Sequence, residues 1–432
     1  MPRPTRTRLL LFAAGFGGLA LFTLAVREPV RLAALFWPAA GVLLGTLMLS
    51  PTRRWPLWIA LAGGLHAAAG VLLGRSIGIA LFFAAVNLCD VCLAALLWRR
   101  SCAHAEDLRD PRALSCFLFA VAVGALLAAV LLSQGLPLLG RVPPHIDWTN
   151  WTASALIGSL LGAPLVLAVA HLRAHRSGGS RRATWLGLLG FAGMTVAALA
   201  VFDRPTAVQL FGTTQVPLTY LPLLFVVVVA MTWGELGNSL AMLTLAALAA
   251  FNTLQGEGPF VKGNLTIDDA FTDLQAYVGA AALLGLVIAA LSAARHRAQE
   301  QAEAWRARFE GALLATGQIV YEYDPETGCM NWEGPVQHVL GMGAEQIADF
   351  AAFAARVHEN DRPALLDAIA ARRRGAAGPM HLPLRLRDDE GAWRLIEERG
   401  APIVDFDGAV YRIEGMLRRQ ESEALGPTES LG

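Results

Sequence analysis

Ten apolar stretches fill the first two-thirds of this chain, and each is long enough, or nearly so, to cross a lipid bilayer as a helix. A hydrocarbon core of roughly 30 Å takes about 20 residues at the helical rise. Lipid offers no partner to a bare peptide group, so a run of this kind closes its hydrogen bonds within itself. The runs are residues 9–26, 32–50, 56–74, 77–98, 113–136, 151–172, 184–201, 217–233, 236–254 and 274–294. Only 16% of the 432 residues are charged, against about 25% in a soluble domain. The charge that exists collects in the last third.

Net charge is zero, which argues against nucleic acid as a partner. The five cysteines lie in or beside apolar runs or in the charged third, so they form no disulfide framework. The first run has Arg3, Arg6 and Arg8 before it and no small-residue cleavage site before Arg27, so it is retained as a helix rather than removed as a signal peptide. With the N-terminus inside, inner segments carry seventeen Lys or Arg and outer loops six. That bias places both termini in the cytoplasm. Two outer loops, 137–150 and 255–273, are long enough to hold structure. Gly41–Gly45 and Gly158–Gly162 are both GxxxG, which lets helices approach closely.

After residue 294 the pattern changes. Leu291, Ala298, Ala302, Trp305, Phe309 and Ala312 recur at spacings of seven, four, three, four and three, with Arg, Glu and Gln between them. This is a seam on one helix face. It fits a helix packing on its own domain and, equally, a parallel dimer coiled coil. Residues 319–324 and 329–332 are strand candidates around the turn Pro325–Gly328. Helical patterns fill 335–374. Then His381–Asp388 alternates, with Leu382, Leu384 and Leu386 on one face. Asp407-Gly408 is a hairpin signal before a closing strand at 410–418. Two strands, short helices and three strands make a five-stranded antiparallel sheet with helices on one side.

Residues from about Leu9 to Arg295 resemble MASE1, a bacterial integral-membrane sensory domain. The matching pieces are Phe36-Trp-Pro-Ala-Ala-Gly41, Gly158-Ser-Leu-Leu-Gly-Ala-Pro164, Gln255-Gly-Glu-Gly-Pro-Phe260 and Leu274-Gln275. Residues from about Phe309 to Arg418 are similar to a PAS domain of the PAS-fold 3 type. That likeness is carried by Val357-His-Glu-Asn-Asp-Arg362, by the Arg385–Asp389 strand end with Gly391 and Trp393, by Glu397–Gly400, and by Asp407-Gly408 before Tyr411-Arg412. The expected architecture is an α-helical polytopic membrane bundle of about ten spans plus a small α+β PAS domain with a five-stranded antiparallel sheet. The divisions are 1–294 for the transmembrane sensor, 295–308 for a helical linker, 309–418 for the PAS domain and 419–432 for a disordered tail.

The resemblances imply a bacterial inner-membrane sensor that relays a stimulus from the bundle to the cytoplasmic PAS domain. They imply a homodimer through linker and PAS, and Ala298, Ala302, Trp305 and Phe309 as relay positions. Family members usually continue into a histidine kinase or a cyclic-di-GMP enzyme. Here only residues 420–432 follow the match, so the output module is expected to be absent or to reside on a separate partner protein. A transporter with a regulatory PAS domain and a truncated sensor kinase or diguanylate cyclase are the competing readings.

No catalytic constellation stands out. Glu423-Ala-Leu425 and His358-Glu359 match short signalling tripeptide and phospho-acceptor patterns by chance. Asn87 and Asp90 fall near the middle of the fourth run, where a carboxylate costs roughly 2.5–3.5 kcal/mol to insert. They must therefore face the bundle interior. They are either a ligand contact or a buried pair that pins helices, with His66 as a candidate partner for Asp90. Cys89 and Cys92 flank Asp90, but zinc needs four ligands, so packing is the simpler role. Trp37-Pro38 starts or kinks the second helix, and the family likeness makes Trp37 a candidate ligand contact. Trp332, Trp393 and Tyr411 are candidates to line a PAS pocket or to build its core. The cofactor, if one binds, is not legible.

Overall fold

A computed structural model of the chain describes residues 6–25, 35–102, 108–138, 148–172, 181–203, 206, 209, 218–261, 267–375 and 380–420. The chain folds as two compact units, Met1–Arg297 and Ala298–Gly432. Most of the expected 137–150 loop, several outer-loop arginines and the 421–432 tail lie outside the described residues.

The first unit is all helix: α1 Arg6–Ala25, α2 Pro38–Leu49, α3 Trp55–Leu72, α4 Ile77–Ser101, α5 Pro111–Leu138, α6 Trp148–Leu172, α7 Arg181–Phe202, α8 Leu221–Leu254 and α9 Ile267–Thr316. Among the described residues, eight helices are long and apolar enough to cross a membrane. The polytopic bundle is as expected, and the expected second run and the eighth and ninth runs account for the difference from about ten. Pro38 occupies the first turn of α2 and leaves it 12 residues, about 18 Å of helix. The expected eighth and ninth runs both form, as the two segments of α8 on either side of Gly234, whose φ of 62° and ψ of −143° lie outside the helical region; the chain reverses there, so that Tyr220 before the first segment and Phe260 after the second both pack on Tyr277. Glycine accepts a positive φ without a Cβ clash.

Glycines decide which helices touch. On α2, a Cβ at Gly41 would lie 2.5 Å from the Gly158 carbonyl oxygen and 2.7 Å from Gly162 Cα. One at Gly45 would lie 2.8 Å from Val166 Cβ. Contacts advance together along both chains, so α2 and α6 run parallel, backbone against backbone. Gly187 and Gly193 of α7 make room for Trp233 and Phe225 of α8 in antiparallel order. Gly124 and Gly135 of α5 receive Asp90 and Phe82 of α4, and Gly285 of α9 receives Asn238 of α8.

Polar contacts close the two ends. At one end the Arg99 guanidinium donates to the Ser50 carbonyl at 2.8 Å and lies 5.4 Å from the Trp55 ring. At the other, Gln275 Nε2 donates to the Leu35 carbonyl at 2.8 Å, and Phe260 packs between Phe202 and Tyr277 at 5.8 and 5.5 Å.

The second unit holds β1 Gln318–Tyr323, β2 Met330–Glu333, α10 Val336–Leu340, α11 Phe350–Arg356, α12 Arg362–Arg373, β3 Met380–Arg387, β4 Trp393–Val404 and β5 Val410–Arg419. The sheet is five-stranded and antiparallel throughout, as the turn and alternation signals predict, and its order is β2-β1-β5-β4-β3. Asp349 caps α11 by accepting the Ala352 N–H at 2.7 Å. Ile319, Leu384, Leu386, Ile396, Ile413 and Leu417 form the fully buried inner face.

The α2–α6 contact yields a direct test. A methyl at Gly158 collides with the Trp37 carbonyl, whereas one at Gly18 on α1 meets nothing within 4 Å. Gly158→Ala is expected to destabilise the bundle by roughly 1–3 kcal/mol, as overpacking does. Gly18→Ala should stay within about 0.5 kcal/mol of the parent. Thermal unfolding of the detergent-solubilised chain measures both.

Candidate functional site

The start of α2 and the first half of α4 enclose a small, mostly apolar cavity of about 20 Å³, room for about one water. Trp37, His66, Arg75, Asn87 and Ser154 supply its polar groups. The backbone positions them. The Trp37 N–H donates to the Ser154 carbonyl at 3.3 Å, which ties the N-cap of α2 to α6. The Trp37 indole packs on His66 with ring centroids 4.7 Å apart, and its buried Nε1 has no hydrogen-bond partner among the described residues. The buried Arg75 guanidinium sits 4.4 Å from the Phe83 ring centroid, and Phe83 stacks in turn on Trp151 at 5.3 Å. An aromatic face offsets part of the cost of removing a cation from water. Asn87 Nδ2 donates to the Phe83 carbonyl one turn back, at 3.2 Å.

Two of the sequence candidates, Trp37 and Asn87, therefore meet at this cavity. Asp90 does not join them. It is 2% exposed and packs over Gly124 of α5, and its Oδ2 has no hydrogen-bond partner among the described residues. No Asp90–His66 bond forms among the described residues, because His66 is turned onto Trp37. Arg75 and Ser154 carry no motif and were missed. The only signal was an arginine just outside a span beside a run of Phe.

At the other end of the bundle, the Gly234 break places Glu235 inside the fold with its side chain 4% exposed. Arg109 Nε lies 3.8 Å from Glu235 Oε2. The Arg297 guanidinium donates to the Arg109 carbonyl at 2.6 Å. The α4–α5 connection, the α8 break and the last turns of α9 in this unit thus share one polar cluster.

In the second unit the interior of the sheet holds a charge pair. Arg372 of α12 is fully buried and donates twice to Glu398 of β4, at 2.6 and 2.8 Å. Tyr321 of β1 donates to Glu398 at 2.5 Å and accepts from Arg372 at 3.0 Å. Burial, then the neighbouring Glu398 charge, pushes the Tyr321 phenol well above its ordinary range. Gly400 and Gly415 face each other across β4 and β5. A Cβ at Gly400 would lie 2.6 Å from Arg372, and one at Gly415 would strike the Tyr321 ring. The glycine pair is what lets the triad fill the space over the sheet.

The expected grouping of Trp332, Trp393 and Tyr411 does not form. Trp332 packs against Tyr321 and Phe353 and donates to the Ile347 carbonyl at 2.7 Å. Trp393 lies on the outward face of β4, half exposed, with its ring 4.8 Å from His358. Tyr411 is the residue skipped where the β4–β5 register shifts, and the bulge turns it to solvent. Of the seam on α9, Ala298, Ala302 and Trp305 are exposed and Phe309 is half-buried. Trp305 and Phe309 stack at 6.5 Å beside a groove of about 880 Å³ that reaches Trp332 and Pro335.

The family model MASE1 matches residues 7–297. The chain belongs to the MASE1 family. A second family model, described as PAS fold, matches residues 330–417. The N-terminal domain of a diguanylate cyclase with PAS/PAC sensor from Marinobacter aquaeolei is 17% identical, with 24% of this chain and 94% of that chain covered and a TM-score of 0.22. A sensory box histidine kinase/response regulator from Burkholderia thailandensis is 22% identical over 26% of this chain and 83% of that one, with a TM-score of 0.21. No curated protein matches. The four segments that carry the MASE1 likeness lie far apart in sequence and meet in space. The Phe36–Gly41 piece packs on Gly158–Pro164. Gln275 binds the carbonyl before Phe36, and Phe260 packs on Tyr277.

Glu398→Leu strands Arg372 in the interior and is expected to cost roughly 3–5 kcal/mol. Adding Arg372→Met should recover most of that loss, read by denaturant unfolding of both variants. A second expectation concerns acid. Arg385 hydrogen-bonds Asp361 at 2.8 and 2.6 Å and holds its carboxyl at about 2. A lowered folded pKa stabilises above the unfolded value, near 4, and that stabilisation disappears as pH falls towards 2. Calorimetry of the full chain should show the PAS transition falling across that window, less steeply in Asp361→Asn.

Proposed function

We propose that this MASE1 protein is a multi-pass membrane sensor whose bundle responds at the cavity around Trp37 and Asn87 and drives its PAS domain through α9. The observation that carries the reading is the continuity of α9. Its residues 267–297 belong to the first unit, and the same helix continues to Thr316, directly before β1. A helix unbroken over 50 residues passes rotation or shift from one end to the other. The stimulus is a small polar molecule or ion that accepts hydrogen bonds, since Trp37 presents there a donor unsatisfied among the described residues. Binding shifts the population of two bundle packings.

The same reading places both termini in the cytoplasm. Arg109 and Arg297 meet, and Arg99 and Arg100 end α4 just before Arg109 in the chain; basic residues favour the cytoplasmic side. The exposed seam from Ala298 to Phe309 supports pairing with a second copy, and output passes to a module outside the described residues.

Spin labels at Ala302 in the full chain test the relay. Asn87→Leu and Arg297→Ala should each shift the inter-label distance distribution. Deleting residues 298–301, with the label kept on Ala302, should rotate the following segment by about 40°. Distributions identical to the parent in both substitution variants would sink the reading. Sidedness is checked separately with a membrane-impermeant maleimide on the exposed Cys329, which should react only after lysis.

A further inference from the structure

The end of α4 and the first turns of α5 bring two thiols together. Ala94 and Phe82 of α4 meet Gly124 and Gly135 of α5, so the two helices run antiparallel. Eight residues on from Ala94 stands Cys102, and eight residues back from Gly124 stands Cys116. Positions i and i+8 share a helix face. The packing of α4 on α5 by itself therefore sets the two cysteines opposite each other. Their side chains meet, the Cys102 thiol hydrogen-bonding Cys116. Both are free thiols and both are partly exposed. Burial, then the hydrogen bond and charge of Cys116, then Asp110, push the Cys102 thiol up to about 11. Cys102 thus keeps its proton and donates it to the Cys116 sulfur. Among the described residues no third metal-ligating side chain joins the pair.

We infer that Cys102 and Cys116 are a peroxide-reactive pair whose disulfide clamps the connection between α4 and α5. Cys116, which receives the hydrogen bond, is the attacking sulfur. It takes one oxygen of hydrogen peroxide: an S–O bond forms, the O–O bond breaks, and the thiol proton leaves with the other oxygen as water. Cys102 then attacks the Cys116 sulfenic acid. An S–S bond forms, the S–O bond breaks, and the Cys102 proton leaves in a second water. The two sulfurs together lose two electrons, and the peroxide takes them up. Their separation closes to about 2 Å. The closed loop 102–116 contains Arg109, which lies 3.8 Å from Glu235 and whose carbonyl accepts from Arg297 at 2.6 Å. Intracellular disulfides are mostly transient and redox-sensing, which is the use a pair of resting thiols suits. The chemistry stands apart from any relay through α9.

The detergent-solubilised full chain is treated with one equivalent of hydrogen peroxide, its remaining thiols are alkylated, and its unreduced peptides are mapped by mass spectrometry. The free-thiol count is expected to fall from five to three. A linked Cys102–Cys116 peptide should appear and vanish on adding dithiothreitol. Cys102→Ser should give no linked peptide and leave Cys116 as a sulfenic acid that dimedone captures. Amide hydrogen exchange over residues 108–114 should slow when the parent is oxidised and stay unchanged in peroxide-treated Cys102→Ser. Oxidation of the exposed Cys329 alone overturns the inference. So does a link between two chains in place of one within a chain, or a linked peptide with no change in exchange. Zinc in the purified parent that is lost in Cys102→Ser would make the pair metal ligands instead, and overturns it too.

Discussion

Two helices in the MASE1 domain touch main chain to main chain, and the polar features of its interior are placed by that contact. Lipid tails are as apolar as leucine, so no hydrophobic force drives spans together, and close packing of small residues does the work instead. Gly41 and Gly45 of α2 lie in the surface formed by Gly158, Gly162 and Ala163 of α6. That fit brings the Trp37 carbonyl onto Gly158 and the Trp37 N–H to Ser154. The indole then meets His66, and the cavity with Asn87 and Arg75 closes around them. The short length of α2 belongs to the same design, because Pro38 fixes where the helix begins and so where Trp37 stands.

The helices were legible because lipid is an exacting solvent. A long uncharged run has one satisfactory conformation there, and its composition announces it. What the runs could not announce was how they join. Residues 217–254 show two apolar stretches with a charge between them, which reads as two spans and a turn. The turn is a single glycine, and Glu235 goes inward to Arg109 rather than out to water. Arg75 likewise reads as a loop cation, and only the fold shows it against Phe83.

The PAS domain divides along the same line. Its hairpins were marked by Asp-Gly and Pro–Gly turns, whose glycines adopt positive φ at Gly328, Gly391 and Gly408. The strand alternation of Leu384 and Leu386 placed the inner face correctly. The triad was hidden. Arg372 opens a run of three arginines at a helix end, the usual sign of a solvated terminus, and Glu398 sits in a charged strand. Alternation along β4 puts Glu398 inward between Ile396 and Gly400, but a carboxylate there makes sense only once a cation reaches it from another element. Tyr411 misled for the opposite reason, since the bulge that exposes it has no residue signature.

The triad changes what the PAS interior is. In place of an empty chamber awaiting a guest, the space above the sheet is occupied by the domain's own guanidinium, carboxylate and phenol, seated on two facing glycines. An incoming molecule would have to evict a matched ion pair and replace its four hydrogen bonds, a far steeper demand than displacing solvent. The domain thus carries its own internal tenant over this part of the sheet, held by a matched cation, anion and phenol.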